Sequence, residues 1–157
     1  MKSLTELINE LDNKTPFITQ RNTAVSQASI GWHLEHSLLA LVKMISAVEN
    51  SNPADYKREF NIKRLIVFTI GKIPRGKANA PEAVKPAGET TAEKIQPLIE
   101  KAKQKAEAFE KLSTGKFFKH PVFGDLKRKQ AQKAISIHTN HHLRIINDII
   151  SNQTISR

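Results

Sequence analysis

Ala131-Gln132-Lys133-Ala134-Ile135-Ser136-Ile137-His138-Thr139-Asn140-His141-His142-Leu143-Arg144-Ile145-Ile146-Asn147-Asp148-Ile149 is the stretch on which the fold turns. On a helix advancing about 100° per residue, Ala131, Ala134, Ile135, His138, His142, Ile145 and Ile149 share one stripe less than about 110° wide. The spacing predicts a long final helix, from about residue 127 to 150, with two imidazoles inside its buried face. A single buried histidine is normally a satisfied core residue. Two at i, i+4 on an apolar stripe need several polar partners or one shared cation, because unpaired imidazole polarity is costly to bury. Residues four apart on a helix are neighbours and can chelate a divalent ion from one side. The spacing leaves the metal and structural readings level. His141 falls roughly 60° off the stripe centre, which makes it a rim residue or a partner to the pair behind it.

Working outward, the remaining segments also read as helices. Leu4, Leu7, Ile8 and Leu11 repeat with helical spacing behind the capping box Ser3-Leu4-Thr5-Glu6, so a first helix covers about residues 3 to 13. A second, largely buried helix starts near Ser29, carries Leu34, Leu38, Leu41, Ile45 and Val48, and stops at Asn50-Ser51-Asn52-Pro53. Residues 54–70 hold the β-branched cluster Leu65-Ile66-Val67-Phe68; their length and helical neighbours favour helix over strand. Gly71, Pro74, Gly76, Pro81, Pro86 and Gly88 make 71–90 a long crossover loop of the functional or mobile kind. Thr91 to Leu112 is again helical, with Pro97 tolerable only in the first turn, and a loop over Phe117 to Leu126 leads to the final helix. The expected architecture is all-α: one domain spanning residues 1–157, a four-helix bundle with a short extra helix and one long crossover.

Composition narrows the chemistry. The 157 residues include no cysteine, which excludes disulfides, thiolate zinc sites, iron–sulfur clusters and a cysteine nucleophile. No apolar run approaches the ~20 residues of a membrane span and the N-terminus lacks a signal-peptide pattern, so a soluble, cytoplasmic protein is expected. Lys+Arg outnumber Asp+Glu by 25 to 15; residues 1–50 hold 4 basic and 5 acidic side chains, residues 51–157 hold 21 and 10. Such a balance attracts anions, but Lys101, Lys103, Lys105, Lys127, Arg128, Lys129 and Lys133 alternate with acidic residues and lack the stacking aromatics of nucleic-acid grooves. Salt-sensitive, non-specific polyanion binding is the most this surface predicts. Gly71-Lys72-Ile73-Pro74-Arg75-Gly76-Lys77-Ala78 falls one residue short of a phosphate-binding P-loop: Ala78 lacks the magnesium-holding hydroxyl and no strand precedes it. Its role is a lid or structural crossover, with Arg75 and Lys77 available to an anionic substrate group.

A pair of histidines cannot close a metal site. The second helix offers His33 and His36 within Gly31-Trp32-His33-Leu34-Glu35-His36-Ser37, and periodicity does not choose between them. Ser29-Ile30-Gly31-Trp32-His33-Leu34-Glu35-His36 resembles the second-helix signature of the DinB/YfiT-like superfamily, and His138-Thr139-Asn140-His141-His142 resembles the H-x-x-x-H of its last helix. His120-Pro121-Val122-Phe123-Gly124-Asp125 and Ile73-Pro74-Arg75-Gly76-Lys77 are similar to a subfamily of uncharacterised function. The resemblance spans the whole chain and implies a four-helix bundle holding a divalent metal, zinc, nickel or iron, on His36, His138 and His142. Members include thiol-dependent S-transferases, a maleylpyruvate isomerase and hydrolase-like proteins, and dimers are common among them. It therefore implies a metal-dependent transferase or hydrolase acting on a small molecule, with a low-molecular-weight thiol as co-substrate. Three neutral imidazoles with an open position suit a catalytic metal, which binds water or a substrate heteroatom and lowers its pKa. Imidazoles also accept copper. Glu35 and Asp148 are candidate bases or supporting carboxylates, although solvated helix-face carboxylates are the commoner case; His33, His120 and His141 carry no assigned role. The competing reading is a non-catalytic helical protein that works through a partner surface.

Overall fold

Local capping explains where the helices begin. In the computed structural model, which describes residues 2–76 and 81–154, helix α1 (Leu4–Asp12) starts at Ser3. The Ser3 hydroxyl accepts the Glu6 N–H at 3.1 Å, and the Glu6 carboxylate accepts the Ser3 N–H at 2.6 Å. Two otherwise orphaned donors are satisfied reciprocally. Helix α2 (Ile30–Glu49) is capped by the Ser29 hydroxyl, which accepts the Trp32 N–H at 3.2 Å. Its buried Leu34, Leu38, Leu41, Ile45 and Val48 reproduce the stripe seen in the sequence. Gly31 is needed at the entrance of α2: a Cβ there would lie 2.8 Å from Ile18 Cγ1 and 2.9 Å from the Ile18 carbonyl oxygen. The Gly31 N–H donates to that same carbonyl at 2.9 Å, which locks the preceding loop onto the helix.

Helix α3 (Ile62–Ile70) is followed, beyond the crossover, by α4 (Ala92–Glu110) and finally α5 (Arg128–Thr154). Pro97 lies beyond the first turn of α4, against expectation. It sits on the exposed side, where water can serve the Glu93 carbonyl that its missing N–H would have bonded. Helices α4 and α5 both pack on α2, and α1 closes against the same two. Their common core includes Leu7, Leu11, Leu34, Leu41, Ile95, Ile99, Phe109, Ile135 and Ile146.

Two departures follow from non-local hydrogen bonds. The expected helix over 54–70 is shortened to α3, preceded by a 3-10 turn over Pro53–Asp55. The Lys57 N–H goes to the buried Asp125 carboxylate at 2.8 Å, and Asn61 caps α3 by accepting the Arg64 N–H at 2.9 Å. The Arg64 guanidinium then gathers the carbonyls of Glu59, Phe123 and Asp125. The partner in these contacts is the second departure: the expected loop over 117–126 is an antiparallel hairpin, β1 (Phe117–His120) and β2 (Gly124–Lys127), with Phe117 opposite Lys127 and His120 opposite Gly124. An all-α four-helix bundle is therefore replaced by a mostly helical fold with five α-helices and a two-stranded sheet among the described residues. No helix of the described residues is long and apolar enough to cross a membrane.

Candidate metal centre

The contact of α2 with α5 brings four histidines together. His33 and His36 come from adjacent turns of α2, His138 and His142 from adjacent turns of α5. Ring centroids lie 5.2 Å apart for His36–His138, 4.7 Å for His36–His142 and 4.7 Å for His138–His142. One nitrogen from each of these three rings falls within 4.8 Å of the others. Tetrahedral zinc with Zn–N bonds of about 2.0–2.1 Å places its ligand nitrogens roughly 3.3 Å apart, so the three rings must draw closer together to close around an ion.

Each ring has a distinct hydrogen-bonding state. His36 Nδ1 lies 2.8 Å from the Val84 carbonyl oxygen. A carbonyl only accepts, so Nδ1 carries the proton and Nε2 is left with its lone pair. His142 Nδ1 pairs with His33 Nδ1 at 3.0 Å, and His33 Nε2 pairs with Ser26 Oγ at 2.9 Å. His138 as a residue is half-buried, and its Nδ1 is enclosed without a hydrogen-bond partner. This orphaned nitrogen beside two partnered rings fits a missing cationic partner. Trp32 backs the cluster, stacked on His36 at 4.9 Å with 15° between planes and edge-on to His33 at 5.3 Å.

Burial sets the charge state. It depresses His138 to about 3 and His33 to about 4, with neighbouring histidines adding to the effect. It also lowers His142, and lowers His36 against the opposing pull of the Val84 carbonyl. All four rings are neutral at pH 7, the form that ligates metal.

The described part of the crossover touches this site through the Val84 bond to His36. His141, half-buried, hydrogen-bonds the Ile73 carbonyl, which makes it a rim residue. Arg75 pairs with Asp148 at 2.6 Å. Asp148 therefore anchors the crossover and does not join the trio, and Glu35 likewise turns away to accept the Thr90 hydroxyl at 2.6 Å. Lys77 and Ala78 lie outside the described residues. His120 serves the hairpin: its Nδ1 accepts the N–H groups of Val122 and Phe123, and its ring stacks on Phe123 at 4.3 Å. Sequence reasoning missed Ser26 and the Val84 carbonyl. Trp32, adjacent to His33 and the chain's one tryptophan, was the available signal for a ring packed on the cluster.

The comparisons with known proteins bear on ancestry. A family model described as "Protein of unknown function (DUF1569)" matches residues 62–148, more than half of the chain. The chain belongs to the DUF1569 family. The DUF1569 match runs from α3 through the crossover, α4 and the hairpin into α5; it includes His138 and His142, while His33 and His36 precede it. No curated protein and no solved structure matches the chain.

Proposed function

We propose that this DUF1569 protein binds one divalent metal ion through His36, His138 and His142 and works as a metal-dependent enzyme on a small molecule, by thiol S-transfer or hydrolysis. The observation that carries the reading is the convergence of three neutral imidazoles, one with an orphaned nitrogen, at the α2–α5 contact. The resemblance of the Ser29–His36 and His138–His142 segments to the DinB/YfiT-like superfamily supports the same ligand set and, within the two reactions, favours S-transfer with a low-molecular-weight thiol. Zinc, nickel and iron all suit imidazole ligands.

A divalent ion held by neutral ligands keeps its full positive charge and acts as a Lewis acid that lowers the pKa of a water or thiol at an open position. The residues around it have separable tasks. The Val84 carbonyl holds His36 with Nε2 free. Trp32 forms one wall of a cleft of about 390 Å³, shared with Arg21, Gln27, Ser29, Glu89 and Thr90. Trp32, which stacks on His36, is the residue shared between this cleft and the cluster, and none of the three ligand histidines lines the cleft itself. Arg75 and Asp148 tie the start of the crossover to α5.

The engagement of Glu35 with Thr90 and of Asp148 with Arg75 favours a second reading, in which the metal braces a non-catalytic interaction protein. A screen separates the two. Metal-loaded protein is assayed with several low-molecular-weight thiols and electrophiles, and with ester and amide substrates, against a His36→Ala control. Turnover by wild type that disappears in the control supports the enzyme; equal rates across the whole panel leave the binding protein ahead.

A further inference from the structure

His33 lies against the ligand trio without belonging to it. Both of its ring nitrogens are already committed, Nδ1 to His142 Nδ1 at 3.0 Å and Nε2 to Ser26 Oγ at 2.9 Å. It is only 4% exposed, is held edge-on by Trp32, and sits on α2 one turn before His36. In a 3.0 Å contact between two neutral imidazole nitrogens, one must donate and the other accept. Two proton arrangements are possible. If His33 Nδ1 donates, His142 carries its own proton on Nε2 and that nitrogen cannot ligate. If His142 Nδ1 donates, His142 Nε2 is left with a lone pair, His33 accepts at Nδ1, and the His33 proton resides on Nε2, facing Ser26 Oγ. Ser26 is itself fixed in a turn in which its Oγ accepts the Ala28 N–H at 3.2 Å, and it retains a lone pair for His33.

We propose that His33, oriented by Ser26, is a positioning residue that holds His142 in its Nδ1–H tautomer and presents His142 Nε2 to the metal. This inference rests on the three-histidine metal reading. Ligating histidines generally donate their second N–H to a carboxylate, a carbonyl or water; here His36 uses the Val84 carbonyl, and the equivalent acceptor for His142 is another imidazole. A neutral acceptor orients the ring without adding negative charge to the centre, so the ion keeps more of its Lewis acidity than it would beside a carboxylate. A four-histidine cluster thus divides into three ligands and one acceptor. Neither i, i+3 spacing on α2 nor burial alone distinguishes the two roles; His33 differs from His36 in having both ring nitrogens hydrogen-bonded.

The test titrates zinc into purified protein at pH 7.5 against a competing chelator, with the fluorescence of Trp32 as a direct reporter. Wild type, His33→Ala, His33→Asn and Ser26→Ala are compared, together with cobalt spectra of each to read the ligand set and long-range 1H–15N spectra of zinc-loaded wild type to read the tautomers. Removal of a hydrogen-bond partner behind a metal ligand weakens binding by roughly 10- to 100-fold, and this is expected of His33→Ala. His33→Asn, whose Oδ1 can replace the Nδ1 acceptor, restores most of the affinity, and Ser26→Ala falls between it and wild type. The cobalt spectra keep three nitrogen ligands throughout, and zinc-loaded wild type carries its His142 proton on Nδ1 and its His33 proton on Nε2. Unchanged affinity in His33→Ala, loss of one nitrogen from its cobalt spectrum, or a His33 proton on Nδ1 in zinc-loaded wild type overturns the positioning role while leaving the metal site standing. Failure of wild type to bind zinc or cobalt overturns both.

Discussion

Helices α5 and α3 depart from the usual partition of side chains in opposite directions. Toward α2, α5 turns His138 and His142, with Ile135, Ile145, Ile146 and Ile149 buried on the same helix. Toward solvent, α3 turns Ile62, Leu65, Ile66 and Ile70, with Leu65 52% and Ile70 61% exposed, and Phe60 beside it. Helix α3 is held from one side only, by the Arg64 bonds, by half-buried Val67 and Phe68, and by the edge-on contact of Phe68 with Phe123 at 5.8 Å. The contrast teaches that hydrophobic spacing specifies a helix without specifying what its faces meet. The α5 rings are tolerated inside because burial keeps them neutral and His142 Nδ1 is hydrogen-bonded to His33; apolar groups on α3 lie outside because its polar anchors fix the opposite face.

The sharpest test of that contrast loads the site. A ligand that binds only the folded chain stabilises it by about 4 kcal/mol at a thousand times its Kd. Zinc at that excess is expected to raise the denaturant midpoint of wild type accordingly, and to leave His138→Ala/His142→Ala unmoved. Leu65→Lys/Ile66→Lys should retain the full shift. A zinc shift lost in the α3 variant, or kept in the α5 variant, breaks the comparison.

Packing gives the next largest effect. Ile135 is fully buried and Ile66 half exposed, so Ile135→Ala is expected to cost about 3 kcal/mol through lost contacts and a residual cavity. Ile66→Ala should stay within about 0.5 kcal/mol. Chemical unfolding of the two variants measures both, and similar costs would mean that α3 is covered in solution.

The legible part of the molecule was the part governed by local periodicity. Ser3 and Glu6 announce α1, the Leu34 to Val48 stripe announces α2, and the His138/His142 pair places the site on the buried face of α5. What escaped depended on partners remote in the chain. Residues 56–61 were drawn out of the expected helix by Asp125, and the strands around His120 are four residues long, too short for alternation to show. The choice between His33 and His36 was likewise absent from the periodicity: the family resemblance favoured His36, and the contacts that set the two rings apart, Val84 for one and Ser26 for the other, come from outside α2.

Acid should separate the buried histidines from α3. His33, His120 and His138 are depressed to about 4, about 4 and about 3 by burial, while α3 contains no histidine. Between the ordinary histidine value near 6.5 and those depressed values, the unfolded chain binds more protons than the folded one. Their stabilising effect is therefore complete above about pH 6.5 and declines as the pH falls toward 4, by about 1.4 kcal/mol per pH unit for each such ring. Metal-free unfolding at pH 7, 6 and 5 follows this slope; His120→Phe should flatten it by one ring, and Leu65→Lys should leave it unchanged. The smallest effect belongs to α3 alone: Leu65→Lys is expected to shift stability at pH 7 by no more than about 0.5 kcal/mol, and a larger loss would show that its exposed face contributes to the fold.

The central claim is that His36, His138 and His142 form one metal site, and metal stoichiometry tests it most directly. Elemental analysis of protein purified without chelator, and again after equilibration with zinc, is expected to give one equivalent per chain for wild type and none above background for His138→Ala/His142→Ala. No metal on the zinc-equilibrated wild type, or one equivalent on the double variant at unchanged affinity, would contradict it.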